Sequence, residues 1–150
     1  MVTTDLTPEV CAAQVLNVFP LLHRFIQTEM RRHGQPLLSL SQLRVLGFLR
    51  FYPEASLSEV ADYLDVAHST MSAMIERLVQ RGLVQRSPDP QERRRVVLTL
   101  TEKGRDCFQQ VFNATNAEIA ELLNSFSKLQ LSQLMQGLNL IETALLNIDT

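Results

Sequence analysis

The 150-residue chain holds two cysteines, five glycines and no net positive charge. Each scarcity removes a class of protein. Two cysteines, Cys11 and Cys107, do not make a disulfide framework. No apolar run approaches the ~20 residues of a membrane helix. The opening MVTTDLTPEV lacks the basic-then-apolar pattern of a secretion signal. A cytoplasmic location is expected from the three together. No glycine-rich phosphate loop and no triad order is present, so an enzyme is the weaker reading and no catalytic residue is assigned. The Ser125–Lys128 SxxK spacing and the Asn113-Ala114-Thr115 glycosylation pattern are better read as helix residues. His23, His33 and His68 are scattered, with no HxxxH or CxxC spacing, so neither a metal centre nor a cofactor is expected. A formal charge of −2 argues against a surface that is basic all over.

What is present is ordinary for a globular protein: 45% apolar and 20% charged residues, in a length that fits one domain. The charge is unevenly placed. From His68 to Arg95 six arginines face three acids, a net of +3; from Asp106 onward one lysine faces five acids, a net of −4. A localised basic region is what a nucleic-acid footprint needs.

Taken in order, the chain reads as mostly helical. Thr7 caps a segment whose first helical residue is Pro8. The segment runs to about residue 33, and Pro20 inside it predicts a kinked helix or two helices. Its apolar residues, among them Val15, Phe19, Leu22 and Phe25, exceed one face and imply burial by a partner. Ser39-Leu40-Ser41-Gln42 matches a capping box and opens a helix to about residue 52. Ser56-Leu57-Ser58-Glu59 matches another and opens a short helix to residue 64. Asp65-Val66-Ala67 is a tight turn, with Asp65 suited to a left-handed conformation. A helix follows from 68 to 81, closed by Gly82.

Two short helices joined by a brief turn form a helix-turn-helix. The second begins with His68, Ser69, Thr70 and Ser72, and in this motif that end enters the major groove. Hydroxyls there serve as helix caps or as partners for base edges and phosphates. Two short strand-like runs come next, 83–86 and 96–100. Pro88 and Pro90 should stop their pairing. Arg93, Arg94 and Arg95 then stand at the tip of the ribbon. The tip suits a phosphate backbone or a narrow groove, or is a solvated loop. Thr101 caps a further helix. A helix-turn-helix followed directly by an arginine-tipped hairpin is a winged helix.

At these residues the sequence resembles the MarR family of winged-helix transcription regulators. The resemblance is carried by Ser56-Leu57-Ser58-Glu59-Val60-Ala61, Thr70-Met71-Ser72, Ile75-Glu76-Arg77-Leu78, Arg81-Gly82-Leu83-Val84, Asp89-Pro90-Gln91-Glu92-Arg93-Arg94 and Val97 through Gly104. It implies a mainly α fold with a two- to three-stranded antiparallel wing. It further implies a homodimer built by residues 1–36 and 105–150, with 37–104 as the DNA-binding region. Recognition helices would occupy major grooves of a pseudo-palindromic operator and wings the flanking minor grooves. By position, Arg94 matches the family's wing arginine, Arg93 its neighbour and Arg77 an arginine of the recognition helix. Ala67, Ala73 and Asp65 depart from the family's Ser or Thr, Arg and Gly.

The resemblance also implies repression modulated by a small aromatic or phenolic ligand, in a pocket between the first two helices and the fifth. His23 and Arg44 are the candidates to meet it. The alternatives are a redox-responsive regulator using Cys11 or Cys107, and a winged helix serving protein–protein contact. The C-terminal third supports a dimer: one helix from 102 to about 126, then a capping box at Ser127-Lys128-Leu129-Gln130 and a helix with Leu131, Leu134, Leu138 and Leu145 at helical spacing.

Overall fold

The computed structural model describes residues 5–148. Six helices and one hairpin run in the order α1 (Pro8–Gly34), α2 (Leu40–Phe51), α3 (Leu57–Leu64), α4 (His68–Gln80), β1 (Val84–Pro88), β2 (Val96–Leu100), α5 (Glu102–Leu122) and α6 (Lys128–Leu146). The mainly α architecture with a small antiparallel wing is as the sequence predicts.

The caps explain most of the boundaries. The Thr7 hydroxyl accepts the Val10 N–H at 3.3 Å, and Pro8 follows it into α1. Ser39 and Gln42 close a reciprocal capping box at α2, and Ser127 and Gln130 close one at α6. These side chains satisfy N–H groups that have no intrahelical acceptor. Asp65 ends α3 in the left-handed region at φ 53, and Gly82 leaves α4 at φ 72. Arg31, Arg32 and His33 lie in the last turn of α1, where cations favour the negative end of the helix dipole.

Pro20 breaks nothing: α1 is one element of 27 residues with the proline inside it. A proline removes a single intrahelical hydrogen bond, and the turns on both sides carry the helix past it. The expected alternative of two helices does not occur. α5 stops at Leu122, four residues short of the expected end, and turn residues lead to α6.

The hairpin is longer than expected on its first strand. Pairing runs from Val84↔Leu100 to Pro88↔Val96, so Pro88 belongs to the ladder. One step further out, the Asp89 N–H donates to the Arg95 carbonyl at 2.8 Å. Antiparallel pairs alternate between bonded and non-bonded, which puts Pro88↔Val96 at a non-bonded pair. The N–H that proline lacks would have pointed away from β2. A third strand is reduced to one bridge, Ala55↔Leu98, with the Leu98 N–H donating to the Ala55 carbonyl at 2.8 Å.

The chain divides into two units at Thr115 and Asn116, inside α5. In the first, the core sits within the winged helix. Leu43, Leu46 and Leu49 of α2, Val60 of α3, Met71, Ile75 and Leu78 of α4, and Leu83, Val84 and Leu98 of the wing are almost wholly buried. Phe108 and Val111 of α5 complete the cluster. The Gly104 backbone lies against Leu83, so close that a Cβ there would be 2.1 Å from the Leu83 carbonyl oxygen. That contact is why a glycine must stand in the first turn of α5. In the second unit, α6 has no buried residue, and Leu129, Met135, Leu140 and Leu145 are exposed. No described helix is long and apolar enough to cross a membrane.

Candidate nucleic-acid interface

The α4 residues singled out in the sequence lie on the solvent side of the helix. His68, Ser69, Thr70, Ser72 and Arg77 are all exposed. They alternate with buried Met71, Ile75 and Leu78, so helical spacing puts the core on one face of α4 and the polar residues on the others. Ala67 supplies no side-chain cap, and α4 begins with its first N–H groups uncapped. His68 Nε2 stands 3.5 Å from an Asp62 carboxylate oxygen of α3.

Ser69, Thr70 and Arg77 line one wall of an open cleft of about 430 Å³, with Ala73 and Met74. The opposite wall is Ser39 and Gln42, the cap pair of α2. The sequence signalled those two only as a cap. Their place beside α4 is set by the tertiary packing of α2.

The wing tip is an ordered turn. The Asp89 carboxylate accepts the Gln91 N–H at 2.9 Å, and the Arg95 N–H donates to the Glu92 carbonyl at 2.9 Å. Arg93 and Arg94 are exposed and, with Arg77, form no ion pair among the described residues. Arg95 differs from its neighbours. It is only partly exposed, its guanidinium is ion-paired with Glu59 of α3, and its Nε lies 3.8 Å from the Asp89 carboxylate. On the other strand Arg86 Nη1 meets the Glu76 carboxylate of α4 at 2.7 Å. The six arginines that gave this region its positive balance therefore play different parts. Arg86 and Arg95 tie the wing to the helices, Arg81 stands at the C-cap of α4, and Arg77, Arg93 and Arg94 leave their charge open to solvent.

The two ligand candidates stand apart from any such organisation. His23 is exposed on α1 and stacks with Phe19 at 5.5 Å between ring centroids, and Arg44 is exposed on α2. A cavity of about 280 Å³ lies elsewhere in the first unit, between the end of α1, the end of α4 and α5. Leu38, Leu83 and Val111 give it apolar walls, and Arg81, Lys103 and Cys107 also line it. His23 and Arg44 are not among its lining residues. Cys11 is exposed and Cys107 partly buried, and both are free thiols.

A three-helix core, a second motif helix, α4, with a polar outer face, and a hairpin whose Arg93 and Arg94 form no ion pair among the described residues define a winged helix-turn-helix. The MarR family model matches residues 38–95, which span α2 to the wing tip. YfiV of Bacillus subtilis, described as an uncharacterized HTH-type transcriptional regulator, is 26% identical over 110 residues, covering 73% of this chain and 69% of that protein. MdtR of the same organism, an HTH-type transcriptional repressor, is 30% identical over 93 residues, 62% of this chain and 60% of that one. The crystal structure of RV1404 from Mycobacterium tuberculosis superposes with a TM-score of 0.71 at 26% identity, covering 94% of this chain and 95% of the other. The match to the MarR family model is confined to residues 38–95, the winged helix-turn-helix itself.

Proposed function

We propose that the chain is a cytoplasmic, homodimeric transcriptional regulator that binds double-stranded DNA, acting as a repressor whose grip a small aromatic ligand loosens. One observation carries the DNA reading. The unpaired Arg93 and Arg94 of the wing and the polar outer face of α4 belong to the same winged helix, on elements joined through the Arg86–Glu76 pair. His68, Ser69, Thr70 and Ser72 meet base edges and phosphates in the major groove, Arg77 meets a phosphate, and Arg93 and Arg94 reach the adjacent minor groove. That MdtR is named a repressor supports repression.

The pairing rests on exposed apolar surface. Val15, Leu16, Phe19 and Leu21 of α1 and Leu138, Ile141, Leu145 and Leu146 of α6 are exposed. Apolar surface of that extent belongs in an interface, and a two-fold partner matches a pseudo-palindromic site. The 280 Å³ cavity, apolar with cations in its lining, suits a small aromatic acid.

The test is fluorescence anisotropy with the duplex immediately upstream of the chain's own gene, against an unrelated duplex, at two salt concentrations. Upstream-specific binding that falls steeply with salt is expected, because each neutralised phosphate releases a counterion. Arg94→Ala should weaken it by about 1–3 kcal/mol with the dimer intact by sedimentation. Equal, salt-insensitive behaviour on both duplexes would refute the DNA reading in favour of a protein partner.

A further inference from the structure

Glu59 stands at the third position of α3, where a capping-box glutamate would return to the N–H of its cap residue. The Ser56 half of the box forms, with the Glu59 N–H donating to Ser56 Oγ at 3.2 Å. The Glu59 carboxylate goes instead to Arg95, thirty-six residues further along the chain. Arg95 holds a second acid, Asp89, across the mouth of the tip turn. Its own backbone closes that turn from both sides, accepting from the Asp89 N–H and donating to the Glu92 carbonyl. One residue thus joins the tip turn to the helix-turn-helix.

Among the described residues, one backbone bridge ties β2 to the segment before α3, Ala55↔Leu98. It lies three residues from Arg95, or about 10 Å of strand. Beyond it the ribbon is two strands wide, and an isolated two-stranded ribbon is marginal in water. Arg95 is where the far end is held.

We propose that Arg95 is a positioning residue: gripped by Glu59, it fixes the wing tip so that Arg93 and Arg94 meet DNA in register with α4, and it makes no DNA contact itself. The proposal rests on the DNA reading above, and it makes a prediction of unusual sign. Removing an acid from a surface that faces DNA ordinarily strengthens binding, because a repulsion is lost. Glu59→Gln should weaken it.

The experiment compares the full-length wild type with Glu59→Gln, Arg95→Lys and the charge swap Glu59→Arg/Arg95→Glu. Amide hydrogen exchange at Asp89 and Arg95 is measured without DNA, and anisotropy is measured with the upstream duplex. Glu59→Gln should speed exchange at both amides while the melting temperature stays near wild type. Its affinity should fall about fivefold, the scale of an exposed ion pair. Arg95→Lys should retain most of the affinity, the swap, which sets a carboxylate beside Asp89, should recover part of it, and Glu59→Gln should cost less in an Arg94→Ala background than in the wild type. Unchanged or tighter binding by Glu59→Gln overturns the proposal, as does unchanged exchange at the tip. A wild type that binds no duplex refutes the DNA reading, and the exchange result then decides the clamp alone.

Discussion

Gly104→Ala should destabilise the protein, against the ordinary trend for glycine in a helix. Replacing a helical glycine by alanine gains up to about 1 kcal/mol from reduced backbone entropy. At this position the new Cβ would sit 2.1 Å from the Leu83 carbonyl oxygen and 3.0 Å from its carbon. A comfortable carbon–oxygen contact is about 3.3 Å, so the overlap exceeds ~1 Å and falls on backbone. The backbone is poorly placed to yield. The Leu83 carbonyl already accepts the Thr101 N–H at 3.1 Å, the Thr101 hydroxyl donates to the Gly82 carbonyl at 2.5 Å, and Lys103 Nζ donates to the Arg81 carbonyl at 3.0 Å. Overpacking of this kind costs about 1–3 kcal/mol, occasionally more. The net expectation is a loss of about 1–2 kcal/mol, or a melting temperature lower by roughly 2–8 °C. Gly137→Ala in α6 is the control, since a Cβ there meets nothing within 4 Å. It should gain up to about 1 kcal/mol. Thermal melts by circular dichroism read both. A Gly104→Ala protein that melts at or above wild type would refute the close-approach argument.

Three further effects on stability are expected, the first two read by the same melts. Ala67→Ser should stabilise by about 1 kcal/mol, because the residue already has extended backbone (φ −58, ψ 142) and lacks only the side-chain oxygen of a cap; no gain would show the first turn of α4 is satisfied some other way. Thr115→Val should be neutral or stabilising by about 1 kcal/mol, since the buried hydroxyl has no hydrogen-bond partner among the described residues, and a clear loss would refute this. Met71→Ala, at a fully buried position of α4, should cost about 2–5 kcal/mol in denaturant unfolding; a cost below about 1 kcal/mol would mean the core collapses around the gap.

The elements whose ends are fixed by local chemistry were legible in the sequence. Ser39 with Gln42, Ser127 with Gln130, Thr7 before Pro8, the left-handed Asp65 and Gly82 each act within a few residues of themselves. What escaped is what the tertiary structure decides. Pro88 was expected to stop the ladder, and only the register reveals that its missing N–H faces away from β2. The Ser56–Glu59 spacing carried a capping signal, yet the carboxylate is claimed by an arginine thirty-six positions away. Three adjacent arginines are equivalent in a sequence, and turn geometry separates Arg95 from Arg93 and Arg94. Ser39 and Gln42 come to line a cleft with Ser69, Thr70 and Arg77 of α4, a juxtaposition no local pattern encodes. His23 and Arg44 came from resemblance alone, and the structure gives each an exposed place outside the lining of the 280 Å³ cavity.

The twelve largest fully buried side chains among the described residues all lie between Leu43 and Leu98. That core, completed by Phe108 and Val111 of α5, is formed within a single chain. Under the pairing proposed above, association acts as a dosage control. Below the dissociation constant the paired species rises with the square of the total chain, so halving expression would leave about a quarter of the form that can span two half-sites. A repressor built this way would release its operator sharply as its own supply ran down, before any ligand arrived.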